Sequence, residues 1–225
     1  MNMEVRDVAL RAPGFNVGEV FSPAYNRLKR GFDVILCVLI LPFLLPFMAL
    51  IAVLVKLDGG PVFYTQSRVG RAGRMFGCLK FRTMVPNAER KLEQILKNDP
   101  AAREEWARDF KLRNDPRITL IGHFLRRTSL DELPQIVNVL RGEMSLVGPR
   151  PVTHHELELY GEHAGWYLAC MPGITGLWQV SGRNDLSYAR RVAMDVRYAL
   201  TWSLLLDLNI IVRTVPAVVS SRGAY

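Results

Sequence analysis

Between Val34 and Val55 the chain runs for 22 residues, VILCVLILPFLLPFMALIAVLV, without a single charge, and only lipid or a very large core can accept such a segment. A chain of 225 residues holds one substantial domain and has no core of that size to offer. At ~1.5 Å rise per residue the run would be ~33 Å as a straight helix, enough to span the hydrocarbon layer. Pro42 and Pro46, near its middle, each remove a backbone donor and press the helix to bend or break. Arg27, Lys29 and Arg30 precede the run, while Lys56, Arg68, Arg71, Arg74, Lys80 and Arg82 follow it, so the positive-inside preference draws both ends toward the cytoplasm. A hairpin-like, re-entrant helix satisfies both flanks; a transmembrane helix with a tolerated proline kink is the alternative.

The formal charge of +8 fits any polyanionic partner, whether nucleic acid, anionic lipid or phosphorylated substrate, and does not choose among them. The uncharged run argues against a nucleic-acid binder. Cys37, Cys78 and Cys170 are odd in number and lack the short paired spacings of a zinc site or redox dithiol. Residues 1–25, with Pro13, Gly14, Gly18 and Pro23, read as a loosely ordered leader without the order of a cleaved signal peptide.

Beyond the apolar run, Asp58-Gly59-Gly60-Pro61 signals a turn, and PVFYTQ and MFGCLKFRTM have the character of two short strands joined by the basic SRVGRAGR. Residues 87–113 carry apolar side chains at helical intervals, interrupted at Asp99-Pro100, which predicts two amphipathic helices with a solvated face. Ile121 to Leu140 shows a further helical pattern, with Thr128-Ser129 as a candidate N-cap placing Asp131-Glu132 in a first turn. DLSYARRVAMDVRYAL is amphipathic, and LTWSLLLDLNIIVRTVPAVV suits either the headgroup layer or a buried core helix.

Four clusters bear on chemistry. In Lys80-Phe81-Arg82-Thr83-Met84, strand alternation puts two cations on one face beside a hydroxyl, a phosphate grip or merely an exposed basic strand. Arg126-Arg127-Thr128-Ser129-Leu130-Asp131-Glu132 supplies cations and paired acids, enough for a nucleophilic carboxylate, a partner acid and a phosphate clamp, or for a salt-bridged surface. Gly148-Pro149-Arg150-Pro151 fixes an arginine between two prolines, which is useful where bidentate geometry matters. The turn-rich stretch from Pro172 to Asn184, including Arg183, either lines a nucleotide site or is a loop. His123, His154, His155 and His163 lack the spacing of a structural metal site, and no P-loop, dinucleotide fingerprint or Gly-x-Ser-x-Gly elbow occurs.

Taken together and in this order, the basic-flanked apolar segment, KFRTM, LRRTSLDELPQIVNVLRGEMSLVGPRP, PGITGLWQVSGRN and SLLLDLNII resemble the bacterial sugar transferase family, the monotopic phosphoglycosyl transferases, from about Leu28 to about Arg213. The resemblance implies an α+β, mainly helical fold: a leader over 1–27, a re-entrant membrane helix over 28–57 broken at Pro46 with Pro42 as a second bend, and a cytosolic catalytic domain over 58–225. That domain would have a small β element and amphipathic helices on the membrane surface. By the same likeness Asp131 is the nucleophile and Glu132 its partner acid. Asp131 would attack the β-phosphorus of a UDP-sugar, release UMP and form a phosphosugar-aspartyl intermediate that undecaprenyl phosphate resolves. Mg²⁺ would be the cofactor, with Asp131 as its protein ligand, and Lys80, Arg82, Arg126, Arg150 and Arg183 would handle phosphate or nucleotide. The expected partners are UDP-sugar, undecaprenyl phosphate and membrane lipid, on the cytoplasmic face of the bacterial inner membrane. The oligomeric state stays open, a homo-oligomer included, as does the identity of the hexose. A non-catalytic scaffold of the same fold and a transferase using a single ternary complex are the rival readings.

Overall fold

The computed structural model describes residues 23–109, 112 and 114–219; for residues 1–22 the expected leader lies outside the described part. The apolar run sits inside one helix, α1 (Pro23–Lys56), which continues through both Pro42 and Pro46. Its element boundaries therefore record one helix where a break at Pro46 was expected. Lys29, Asp33, Cys37, Ile51 and Val55 are buried, and Leu41, Leu44 and Met48 are partly buried between them. These positions recur at intervals of four and three residues, one stripe along the whole helix. Off the stripe, Ile35, Leu39, Phe43, Leu50 and Val53 are exposed, as are both prolines.

The stripe packs on the rest of the chain at both ends. Near its start, the buried Lys29 ammonium lies 2.8 Å from Asp207 Oδ2 and 3.2 Å from Asp33 Oδ1. Near its end, Ile51 and Val55 join Phe81 and Leu125 in one apolar cluster. Between them Cys37 meets Cys78, Ile136, Val139 and Met144.

Strands β1 (Phe63–Val69) and β2 (Met75–Phe81) form the expected antiparallel hairpin, with Tyr64 opposite Lys80, Gln66 opposite Cys78 and Arg68 opposite Phe76. Directly opposed residues share a face, so Arg68 and Lys80 point to the same side. Helices α2 (Ala88–Asn98) and α3 (Pro100–Asp109) follow, separated at Asp99 as the sequence indicates.

The pattern over 121–140 resolves into three pieces: α4 (Leu120–Thr128), a 3₁₀ turn over Leu130–Glu132, and α5 (Gln135–Arg141). Thr119 caps α4 through its hydroxyl, and Ser129 adopts a left-handed conformation (φ 57°) that ends α4. Ser129 is also the N-cap position of the 3₁₀ turn, without a side-chain capping bond, so Asp131 and Glu132 stand in the first turn of a short 3₁₀ element between two helices rather than of an α-helix. Buried Asn138 on α5 ties this unit to the hairpin: its side-chain oxygen accepts from Leu79 N (3.0 Å) and its amide donates to Gly77 O (2.8 Å). The amide thereby pairs backbone groups that the two-stranded sheet leaves open.

β3 (Ser145–Val147) leads through Gly148 to Arg150, followed by α6 (His154–Glu158), α7 (Ala164–Ala169) and β4 (Gly173–Thr175), which pairs parallel with β3. A Cβ at Gly148 would stand 2.2 Å from Met171 O, so only glycine lets the segment before Arg150 pass this close. Helices α8 (Tyr188–Thr201) and α9 (Leu204–Val219) complete the described chain. Asp207 on α9 is fully buried and accepts from Tyr198 Oη (2.8 Å) and Trp202 Nε1 (3.0 Å) besides Lys29. The acid that seems to interrupt an apolar helix is the anchor joining α9 to α1.

Candidate active site

The hairpin, the turn after α4 and the segment after β3 converge on Glu132. Lys80 Nζ, from β2, lies 2.8 Å from Glu132 Oε1 and 3.9 Å from Asp131 Oδ2. Arg150 adds Nη2 to Glu132 Oε1 at 2.8 Å and Nη1 to Oε2 at 3.5 Å. Both acid side chains retain 13 % exposure, so neither lies in a sealed core.

The two neighbouring acids are not equivalent. Burial pushes the Asp131 carboxyl above the usual carboxylate range, and the Glu132 charge beside it pushes the same way; Lys80, Arg150 and Arg126 oppose this without cancelling it. Burial would raise Glu132 as well, but Arg150 and then Lys80 outweigh it and hold Glu132 well below the usual range. One acid is a committed anion with its oxygens engaged. The other is a desolvated carboxylate whose nearest ion-pair partner is 3.9 Å away, a destabilised charge of the kind that serves as a nucleophile or takes a cation.

Arg126, on α4, donates Nε to Thr83 Oγ1 at 2.9 Å and lies within electrostatic reach of Asp131. Arg183 is half-buried in the 3₁₀ turn over Arg183–Asp185, with a left-handed backbone (φ 51°), and feels both Glu132 and Arg150. A non-glycine residue held at positive φ costs energy that the surrounding fold must offset, and such sites concentrate where a side chain has to be aimed.

Arg82 is placed elsewhere. Its side chain is buried, donating to both Asp58 carboxylate oxygens and to the carbonyls of Pro61, Met84 and Val55. With its donors engaged by the loop after α1, Arg82 fastens the end of the apolar helix to the hairpin, and its hydrogen bonds go to Asp58 and to backbone carbonyls rather than to the acidic pair. Alternation along a strand placed Lys80 and Arg82 together, but the strand ends at Phe81, and the alternation argument ends with it.

Arg68 was missed. Its Nη1 lies 2.8 Å from Glu156 Oε2, and the charges of both Arg68 and Arg150 act on Glu156. Glu156 also closes a capping box with Thr153 at the start of α6. The available signal was strand register, which puts Arg68 on the face of Lys80 four residues along from Tyr64.

Among the described residues no group of three His, Cys, Asp or Glu side chains is placed to hold a metal. His154 and His155 instead face Glu158 on the exposed side of α6. All three cysteines are free and buried. A hard divalent cation that takes one or two carboxylates and completes its shell with water and phosphate oxygens matches the uncommitted Asp131 carboxylate better than Glu132.

The family described as bacterial sugar transferase matches residues 24–221. The exopolysaccharide production protein ExoY of Sinorhizobium fredii is 56 % identical over 198 residues, 88 % of each chain. A UDP-galactose-lipid carrier transferase of Erwinia amylovora is 55 % identical over 88 % of this chain and 42 % of its own length. An undecaprenyl-phosphate galactose phosphotransferase of Salmonella typhimurium is 52 % identical with the same coverage. The chain thus spans most of the first relative and about two fifths of the other two.

Proposed function

Because the chain belongs to the bacterial sugar transferase family, we propose that it is a phosphoglycosyl transferase that moves a hexose 1-phosphate from a UDP-hexose to undecaprenyl phosphate in exopolysaccharide synthesis. The observation that carries this reading is the division of labour between adjacent acids: Glu132 held as an anion by Lys80 and Arg150, and Asp131 left desolvated beside them.

In the proposed reaction Asp131 attacks the β-phosphorus of the donor. The bond from that phosphorus to the bridging oxygen breaks, UMP leaves with that oxygen, and a phosphosugar-aspartyl ester remains. A phosphate oxygen of undecaprenyl phosphate then attacks the same phosphorus and releases the Asp131 carboxylate. Two displacements let a water-soluble donor and a membrane-bound acceptor use one site in turn. Arg126, Arg150 and Arg183 meet the donor phosphates, and Lys80 moves between Glu132 and the charge that develops at the reacting phosphorus. Asp131 and the substrate phosphates would hold a Mg²⁺, which would supply charge neutralisation at the pyrophosphate.

The membrane arrangement in this reading is monotopic, at the cytoplasmic face of the inner membrane. Two features support it: both ends of α1 engage the same domain, and the prolines that weaken the helix middle lie on its exposed, lipid-ready side. The exposed side of α1 then faces lipid while its buried stripe stays with the domain along its length. Leu205, Leu208, Val212 and Val215 on α9, and Leu120 and Phe124 on α4, are exposed and suit helices lying in the headgroup layer.

The test is UMP release by the purified chain in a membrane mimetic with Mg²⁺ and undecaprenyl phosphate, across a panel of UDP-sugars. UDP-galactose comes first, since the Erwinia and Salmonella relatives carry galactose in their names. Acceptor-dependent release with one donor supports the reading; no release with any donor favours a scaffold that has kept the fold.

A further inference from the structure

A cavity at the root of α1 lies away from the acidic pair, none of whose residues lines it. About 520 Å³ in volume, it opens at the root of α1. Arg27, Lys29, Arg30 and Arg71 border it, and Met144, Val147 and Cys170 are among its apolar lining. Arg71 belongs to the hairpin tip, and about 17 Å of strand separates that tip from Lys80; Lys80, Arg126, Asp131, Glu132, Arg150 and Arg183 do not line the cavity.

The cations around this cavity differ in what already holds them. Lys29 is paired with Asp33 and Asp207, and Arg30 donates to the last carbonyls of α5, Val139 and Leu140. Arg71 donates one nitrogen, Nη1, to Asn26. Arg27 is exposed, and no ion-pair partner is recorded for it among the described residues. The cavity therefore has an apolar floor, two cations fixed by the fold and two arginines with donating capacity left over. The exposed apolar side of α1 begins a turn or two beyond it, at Ile35, Val38 and Leu39. This is the arrangement that seats an amphiphile with a phosphate head: a basic rim at headgroup depth above an apolar recess.

We propose that the cavity at the root of α1 binds the phosphate head of one anionic membrane phospholipid, with Arg27 and Arg71 holding the phosphate and the Met144–Val147 floor taking the start of an acyl chain. The site is separate from the transfer site and anchors the fixed end of α1 at a defined depth.

The experiment uses the full chain, purified in a neutral detergent and incubated with phosphatidylglycerol or phosphatidylcholine of matched chains. Lipid retained per protein is read by native mass spectrometry, alongside the unfolding midpoint. Retention of one phosphatidylglycerol in preference to phosphatidylcholine, with a raised midpoint, is expected. Losing one surface cation near a lipid phosphate weakens binding by about fivefold, so Arg27→Gln or Arg71→Gln should each show that loss and the pair about 25-fold. Arg27→Lys should restore most of it. UMP release in neutral lipid should be unchanged in these variants, so failure of the transfer reading and failure of this site are told apart. Equal retention of the two lipids would overturn the proposal without recourse to any variant. So would phosphatidylglycerol retention that ignores both substitutions, or an equal midpoint shift from inorganic phosphate alone, which would make the site one for free phosphate.

Discussion

Lys80 and Glu132 form an ion pair across the junction of hairpin and turn, Nζ to Oε1 2.8 Å, and this pair is what leaves the neighbouring Asp131 without a close cation of its own. The consequence is a pH dependence. The nucleophile must be ionised to attack, and both burial and the Glu132 charge raise the pKa of Asp131. The acid limb of single-turnover UMP release should therefore lie above the ordinary carboxylate range. Glu132→Gln removes one raising influence and frees Lys80 and Arg150 to face Asp131, so the limb should move to lower pH even as the maximal rate falls. A limb that stays in place in this variant would separate the observed titration from Asp131.

Arg82 and Arg150 are both arginines in clustered motifs, yet the structure gives them different work. Arg82→Met should lower stability by about 3 kcal/mol, because it strips partners from Asp58 and several carbonyls, while UMP release per folded molecule changes little. Arg150→Lys should do the reverse. It keeps the charge but loses the two-nitrogen contact with Glu132, and kcat/KM should drop about tenfold with a small change in midpoint. Thermal unfolding and UMP release measured on the same preparations decide both.

Asp195, on α8, carries a second pH signature unrelated to catalysis. It is buried, Tyr160 Oη donates to its Oδ2 at 2.8 Å, and among the described residues its Oδ1 has no hydrogen-bond partner. Burial pushes its pKa up to about 7, with the Tyr160 hydrogen bond opposing. The folded chain then keeps a proton that the unfolded chain loses near pH ~4, so stability falls as pH rises from about 4 to about 7 and levels off above that. The full span is on the order of 3–4 kcal/mol. Asp195→Asn should flatten this slope, with its benefit confined to neutral and higher pH. Unfolding midpoints at pH 4.5, 6 and 8 check it, and a parallel shift at all three would contradict the assignment.

Topology is checked with single cysteines at Leu28 and Leu57, which are 54 % and 77 % exposed at the two ends of α1. The native cysteines are buried and should react slowly. In intact spheroplasts, Leu28→Cys and Leu57→Cys should both resist a membrane-impermeant maleimide and both react once the membrane is opened. Reaction of one alone from outside would mean that α1 crosses.

Legibility in the sequence followed the range of the interactions involved. The hairpin, the Asp99 break and the apolar segment were readable because each rests on local pattern: alternation, a Pro-flanked break, an unbroken hydrophobic run. The Asp131-Glu132 pair was also visible, but its asymmetry was not, because that depends on which acid Lys80 and Arg150 reach from 50 residues upstream and from the far side of α5. The engagement of Arg82 was hidden for the same reason. Its partner Asp58 lies across a turn, and alternation says nothing about where a strand stops. Ser129 read as a helix start because serine favours N-caps; it does precede the 3₁₀ turn, but without a side-chain capping bond, and its left-handed backbone also ends α4. The work of Asp207 could not be read locally, because its partners Lys29, Tyr198 and Trp202 come from outside its helix.

The covalent role of Asp131 is tested most directly by incubating the chain, without acceptor, with a UDP-sugar carrying radiolabel in the β-phosphate. If Asp131 is the nucleophile, the label becomes protein-bound as UMP appears, leaves on addition of undecaprenyl phosphate, and is absent from Asp131→Asn. Protein that never takes up label while turning over with acceptor, or an Asp131→Asn variant that still does, would contradict the account and point to direct transfer in a ternary complex.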